Sequence, residues 1–244
     1  MQRYFRIAFA TFSIYFLGYF LTALGVLLGC LAALVNWQSF IRAGTVVWGK
    51  LLFWLVGRHP RVRGGENMTP GKPYLVVSNH SSMFDIPALM AAVPGIAIMG
   101  RDYLTRIPAF GRFLKTLHYV PINTTSRSSA RAALQLAARE IRGGTSVGIF
   151  PEGTRTETGS VQPLKRGFVT VLRECNGDLL PISIHGTYAL KPKGKKGLDP
   201  REPISVTIGA PLANADLVRL DDGEIMQKVK TILEEMGKKH HEGD

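Results

Sequence analysis

Cysteine is scarce in this chain: two residues in 244, Cys30 and Cys175, far apart and the first inside an apolar run. No disulfide framework and no cysteine-based metal spacing can be assembled from such a pair, which fits a reducing compartment. Three common catalytic signatures are missing as well. There is no GxSxG elbow, no GxxxxGK phosphate loop and no HExxH helix. Internal repeats are absent too. Acidic residues are few, eighteen against thirty Lys and Arg, for a formal charge of +12 with His neutral. An excess of that size points to a polyanionic partner: nucleic acid, an anionic membrane surface or phosphorylated substrates. Nucleic-acid binders present aromatic platforms or a reading helix, and the sequence offers neither, so no nucleic-acid partner is expected.

Charge disappears altogether from Ile7 to Val35, "IAFATFSIYFLGYFLTALGVLLGCLAALV". About 20 apolar residues cross a bilayer core, so the run suffices for one tilted helix. A cleaved signal has a shorter apolar stretch and a polar sequel, whereas "AALVNWQSF" leads here into "TVVWGKLLFWLVG". Membrane embedding is the expectation. Arg3 and Arg6 precede the run, and Arg42, Lys50, Arg58, Arg61 and Arg63 follow it. With both flanks basic, a single crossing conflicts with the preference of positive charge for the cytoplasmic side. A hairpin or re-entrant pair of helices, broken near Gly18, leaves both ends on one side. One pass and a hairpin both stay open. Residues 45–57 read as an amphipathic interfacial segment, with Trp48 and Trp54 at headgroup depth and Lys50 snorkelling. The expected organisation is a membrane-embedded and interfacial helical element over 1–58, then one soluble domain over 59–244.

Beyond residue 58 the pattern alternates. Strands are predicted at 73–79, 95–100, 118–122, 146–151, 179–187 and 203–212. Helices are predicted at 85–93, 103–117 (broken by Pro108 and Gly111), 126–144, 167–175 and 221–239. Such alternation argues an α/β fold with a mostly parallel sheet flanked by helices. The basic loop "KPKGKKG" at 191–197 reads as mobile.

In a sheet of this kind ligands bind beyond the C-terminal ends of the strands, and three stretches fall at such places. In "LVVSNHSSMFDIPAL" (75–89), Ser82 and Asp85 have capping-box spacing, with the carboxylate at the third helical position. Asp85 could therefore cap a helix and leave His80 a plain loop residue. It could equally accept the imidazole N–H of His80 and leave the other ring nitrogen free to take a proton; the two roles are compatible. Ser81 and Ser82 adjoin the histidine, so a serine acyl-enzyme stays open. In "IFPEGTRT" (149–156), Gly153 admits close backbone approach and Arg155 carries a fork matched to phosphate oxygens. "GRDYLTRIPAFG" (100–111) brings Arg101, while Lys165 and Arg166 precede a helix N-terminus, a favourable place for an anion. A turn with a solvated basic surface is the plain alternative for each.

Taken together, these stretches resemble the bacterial 1-acyl-sn-glycerol-3-phosphate acyltransferases, the lysophosphatidic acid acyltransferases, over about residues 45 to 212. "NHSSMFD" resembles the catalytic HxxxxD block and "GRDYLTRIPAFG" the second. "FPEGTR" matches the third, and "LPISIHGT" resembles the apolar fourth. The resemblance implies His80 and Asp85 as catalytic residues. Arg101 stands where the family carries a basic residue, commonly Lys, that helps hold the acceptor. Arg155 is implied to bind the acceptor phosphate, with Glu152, Gly153 and Thr154 in the pocket loop and Lys165 as a weaker substrate contact.

The implied reaction moves a fatty acyl group from acyl-CoA or acyl-ACP to the sn-2 hydroxyl of 1-acyl-sn-glycerol-3-phosphate. The product is phosphatidic acid, a phospholipid precursor. No metal and no permanently bound cofactor are called for. The implied partners are lysophosphatidic acid, the acyl thioester, an anionic membrane surface and acyl carrier protein. The implied location is the inner membrane, with the site facing the cytoplasm. One departure stands out: many relatives place an Arg where this chain has Thr124, and Arg127 comes later. Another lysolipid acceptor, such as a lyso-ornithine lipid, and a non-catalytic binder of anionic lipid are the alternative readings.

Overall fold

The computed structural model describes residues 2–238. Seven strands, β1 (Arg61–Arg63), β2 (Leu75–Ser78), β3 (Ala97–Arg101), β4 (Val120–Ile122), β5 (Val147–Ile149), β6 (Leu179–His185) and β7 (Ser205–Ile208), form one sheet. Their order is β1-β7-β6-β2-β5-β3-β4. The run from β6 through β2, β5 and β3 to β4 is parallel throughout. β7 lies antiparallel to β6, and β1 follows β7 in parallel. All six expected strands are present. β1 was not foreseen, because "RVR" is short and exposed along its whole length at the sheet edge and has no apolar run to betray it.

Both faces of the sheet are covered, and the two-residue period of a strand divides the side chains between them. Val76, Ile98, Ile182 and Val206 enter one core. Leu75, Val77, Ala97 and Val120 enter the other. The helices are α1 (Gln2–Phe12), α2 (Tyr19–Leu34), α3 (Gln38–Leu55), α4 (Asp85–Ala92), α5 (Phe110–Thr116), α6 (Arg127–Arg142), α7 (Gly167–Cys175), α8 (Thr187–Leu190), α9 (Asn214–Leu217) and α10 (Asp222–Lys238). Buried residues of α3 and α4, among them Phe53 and Leu89, close over the first core. Those of α6, α7 and α10, such as Ile141, Phe168 and Val229, close over the second.

Gly18 is not the break expected of it. It ends a π-helical turn, Ser13–Gly18, that joins α1 to α2 without interruption. Its φ is an ordinary helical −63°. The chain reverses instead at Asn36, whose φ is +52°, and α3 runs back along α2. The stretch Tyr4–Leu34 is long and apolar enough to cross a membrane, and Phe5, Phe9, Phe12, Phe16 and Phe20 stand exposed along it.

Residues 45–57 only partly match an interfacial segment. Trp54 is exposed. Trp48 turns inward, and its Nε1–H donates to Thr22 Oγ1 at 2.9 Å. An indole N–H facing a neighbouring helix finds its partner there rather than at a headgroup. The basic loop 191–197 is pinned, not loose. Leu198 N–H donates to Thr11 Oγ1 at 3.0 Å, the Tyr15 hydroxyl donates to Lys196 O at 3.3 Å, and Lys191 is buried.

Candidate active site

Five parallel strands end on one edge of the sheet, and the loops leaving them carry the polar residues singled out above. Just past β2, Asn79 continues the strand with its side chain. Its Nδ2 donates to Ile184 O at 2.9 Å, and its Oδ1 accepts from Ile184 N at 2.8 Å. That double bond to β6 fixes where the chain turns outward, and His80 is the next residue.

His80 Nδ1 lies 2.8 Å from Asp85 Oδ2. The same oxygen accepts from the backbone N–H groups of Ser81 at 2.6 Å and Ser82 at 2.7 Å. Oδ1 accepts from the Thr187 hydroxyl at 2.6 Å. Asp85 is fully buried. A carboxylate so surrounded is an acceptor only, so the proton sits on Nδ1, and Nε2 keeps its lone pair. The imidazole also stacks on Phe150, with ring centroids 4.1 Å apart and planes 19° from parallel. Two independent contacts thus hold the ring.

The capping box foreseen at Ser82 and Asp85 forms only in half. Asp85 is the first residue of α4, not its third. Its side chain does reach back to Ser82 N–H. The Ser82 hydroxyl, however, donates to Lys191 O at 2.9 Å. The Ser81 hydroxyl sits 3.0 Å from Thr187 Oγ1. Both serines are buried and committed elsewhere, which disfavours either as a nucleophile. Capping and orienting are therefore one arrangement, with the His–Asp contact at its centre.

The loop after β5 is fastened to the same place. The Glu152 carboxylate accepts from His80 N–H at 2.7 Å and from Gln162 N–H at 3.0 Å. Burial pushes its carboxyl above the usual range, against the pull of those two N–H groups. Thr156 N–H donates to His80 O at 2.9 Å, so the His80 residue is gripped at both its N–H and its carbonyl. Gly153 has φ +73°, and a Cβ there would stand 2.7 Å from Lys165 Nζ. The positive φ of the turn calls for glycine, and the Lys165 side chain lies across it. Thr154, Arg155 and Thr156 line an open depression together with Gln162 and Lys193. Thr154 is exposed, and Lys193 Nζ lies 3.5 Å from its hydroxyl.

Among the expected residues, then, His80, Asp85, Glu152, Gly153 and Lys165 form one connected cluster, with Thr154 and Arg155 on its rim. Arg101 is on the same edge at the end of β3. It is two strands from β2, roughly 10 Å at ordinary strand spacing, and its Nη1 donates to Thr124 Oγ1 at 3.3 Å. The Thr124 hydroxyl thus engages the Arg101 guanidinium. Arg127 opens α6 and is exposed. Arg166 is turned to Asp222, which also holds Arg173. Thr187 was missed. It lay inside the quoted "LPISIHGT" block, where the apolar run concealed the hydroxyl that makes the shorter contact with Asp85 Oδ1.

The C-terminal edge of the parallel strands thus holds a carboxylate-oriented histidine beside a glycine turn and cationic side chains. The family model described as "Acyltransferase" matches residues 59–185, more than half of the chain, and the chain belongs to that family. It is 28% identical over 181 residues to a 1-acyl-sn-glycerol-3-phosphate acyltransferase of Cocos nucifera, covering 72% of this chain and 58% of the relative. Proteins of the same name from Borreliella burgdorferi and Bacillus subtilis are 31% and 29% identical over 57% and 67% of this chain, and over 56% and 79% of their own lengths. The chain spans about half the length of the first of these curated relatives. The fold matches the crystal structure of the 1-acyl-sn-glycerophosphate (LPA) acyltransferase PlsC from Thermotoga maritima. The TM-score is 0.84, and the match covers 99% of this chain and 98% of the other at 24% identity.

Proposed function

We propose that the protein transfers a fatty acyl group from a thioester, carried on coenzyme A or acyl carrier protein, to the sn-2 hydroxyl of 1-acyl-sn-glycerol-3-phosphate. The observation that carries this reading is the 2.8 Å contact from His80 Nδ1 to a fully buried Asp85 carboxylate. It leaves Nε2 as the basic atom. His80 Nε2 takes the acceptor hydroxyl proton as the oxygen attacks the thioester carbonyl carbon, and Asp85 stabilises the imidazolium that forms. The tetrahedral adduct collapses with cleavage of the C–S bond. The proton leaves with the departing thiolate, and the histidine is neutral again.

Arg155, on the loop fastened to His80, supplies a planar fork for the acceptor phosphate. Lys165 across Gly153 and Arg101 on the next strand but one add positive charge on the same edge. Holding both substrates there supplies much of the acceleration. No metal or resident cofactor takes part in this scheme. The apolar stretch Tyr4–Leu34 and the aromatic side chains along it hold the protein to a bilayer, inferred to be the inner membrane with the site on its cytoplasmic side. Basic residues near the interface add about 1 kcal/mol each toward an anionic leaflet.

An assay of purified protein that crosses lysophosphatidic acid and other lysolipids with acyl-CoA and acyl-ACP tests the proposal. Fastest turnover with lysophosphatidic acid is expected. Arg155→Ala should raise KM for that acceptor and leave KM for the thioester unchanged. Equal turnover of an acceptor lacking phosphate would refute the phosphate assignment.

A further inference from the structure

The two oxygens of Asp85 are held by different parts of the chain. Oδ2 accepts from three groups in its own loop: His80 Nδ1 and the N–H groups of Ser81 and Ser82. Oδ1 has one short bond, the 2.6 Å contact from Thr187 Oγ1, a residue 102 positions further along the sequence. Ser81 Oγ is 3.5 Å from the same oxygen and 3.0 Å from Thr187 Oγ1. With its proton given to Asp85, Thr187 has lone pairs left for the Ser81 hydroxyl. The donors converge on Asp85, Ser81 through Thr187 on one oxygen and His80 on the other.

Thr187 and Asp85 are both fully buried, so no water competes for these bonds. The turn that delivers Thr187 is specific. Gly186 has φ +79°, and a Cβ there would stand 2.1 Å from Pro203 O. Only glycine fits, and α8 begins immediately after it.

A carboxylate has a broad, nearly two-fold torsion about its last bond. Three donors converging on one oxygen fix where that oxygen sits but leave the plane of the group to the other oxygen. We propose that Thr187 is a positioning residue of this site. Its hydroxyl fixes the plane of the Asp85 carboxylate, and through it the direction in which His80 Nε2 points at the acceptor hydroxyl. The inference rests on His80 and Asp85 being the catalytic pair.

Thr187→Val removes the hydroxyl at nearly constant shape, and Thr187→Ser keeps it. The full-length protein is assayed with lysophosphatidic acid and acyl-CoA. Thr187→Val is expected to lower kcat roughly 10- to 100-fold, the scale of one hydrogen bond to a charged group, with KM for both substrates unchanged. Thr187→Ser is expected to restore kcat to within about threefold of the parent, within the scatter of such context effects. In an Asp85→Asn background, Thr187→Val should cost little more, because the group it acts through has already been altered.

The outcomes separate two failures. Normal turnover in Asp85→Asn overturns the catalytic pair itself. An inactive Asp85→Asn with an unaffected Thr187→Val, or with Thr187→Val fully additive to it, overturns the role of Thr187 alone. Should Thr187→Val fail to fold, Thr187→Ser and Thr187→Cys carry the comparison. Equal kcat in those two overturns the role, since a thiol is a poor donor.

Discussion

Replacing Asp85 by Asn tests the charge of the pair without disturbing its shape. The two backbone N–H groups that meet Oδ2 cannot turn, so the amide must set its oxygen there. It then accepts from Ser81 N, Ser82 N and His80 Nδ1, as the carboxylate does. Its NH2 faces Thr187 Oγ1, a hydroxyl that can rotate to accept. The imidazole keeps its tautomer and its place, and only the negative charge is lost. With charge centres about 4 Å apart and an effective dielectric of about 20, that charge stabilises an imidazolium by about 4 kcal/mol. The neutral amide retains a hydrogen bond worth about 0.5–1.5 kcal/mol, leaving about 3 kcal/mol. At about 1.4 kcal/mol per decade, kcat/KM should fall about 10²-fold.

Weaker bonds to the two backbone donors should cost about 1–2 kcal/mol of stability, which lowers Tm by about 2–8 °C in a chain of this size. The assay is initial rate against lysophosphatidic acid at saturating acyl-CoA, paired with thermal unfolding in the same detergent. A variant that folds and retains kcat/KM within tenfold of the parent would refute the claim that His80 gains charge in the rate-determining step.

Three further outcomes follow from the same geometry. Asn79→Ala leaves both backbone groups of Ile184 unpaired inside the sheet, so it should destabilise the protein by about 2–4 kcal/mol in chemical denaturation. Glu152→Ala removes the acceptor of two part-buried N–H groups and should cost about 1–3 kcal/mol together with a loss of kcat. The burial that raises the Glu152 carboxyl means the folded state holds its proton more tightly than the unfolded one. The stability gap between parent and Glu152→Ala should therefore narrow as pH rises above 4.5, and a gap that widens over that range would contradict the shift. Lys191 is buried, and desolvation, with Arg155 nearby, lowers its pKa. The unfolded chain then binds more protons between the folded value and 10.5, so parental stability should gain from this group as pH rises toward 10.5. Lys191→Met should abolish that gain, as unfolding midpoints across the alkaline range would report.

Much of this architecture was written in local patterns. The strand at 73–79 and the helix at 126–144 declare themselves by apolar runs and 3.6-residue periodicity, features that depend only on neighbours in the chain. Elements without such a pattern escaped. β1 is three exposed residues whose pairing with β7 is decided by position at the sheet edge. The reversal at Asn36, in place of the expected break at Gly18, was hidden for a related reason. A glycine in an apolar helix looks the same whether it bends the chain or continues the helix, and here it continues it with a φ of −63°. Trp48 and the loop at 191–197 were misjudged because their partners, Thr22 and residues 11 and 15, lie on a helix that only folding brings alongside.

The sequence alone settled that an α/β sheet would follow an apolar helix, and that His80 and Asp85 would stand at a strand end five residues apart, because those facts are encoded over a few neighbouring residues. Only the tertiary structure decided what grips them. Glu152 and Thr156 hold the histidine residue from 72 and 76 positions away, and Thr187 meets the buried carboxylate from 102. Hydrogen bonds act over about 3 Å of space whatever the separation along the chain, so strand order, not sequence spacing, selected those partners.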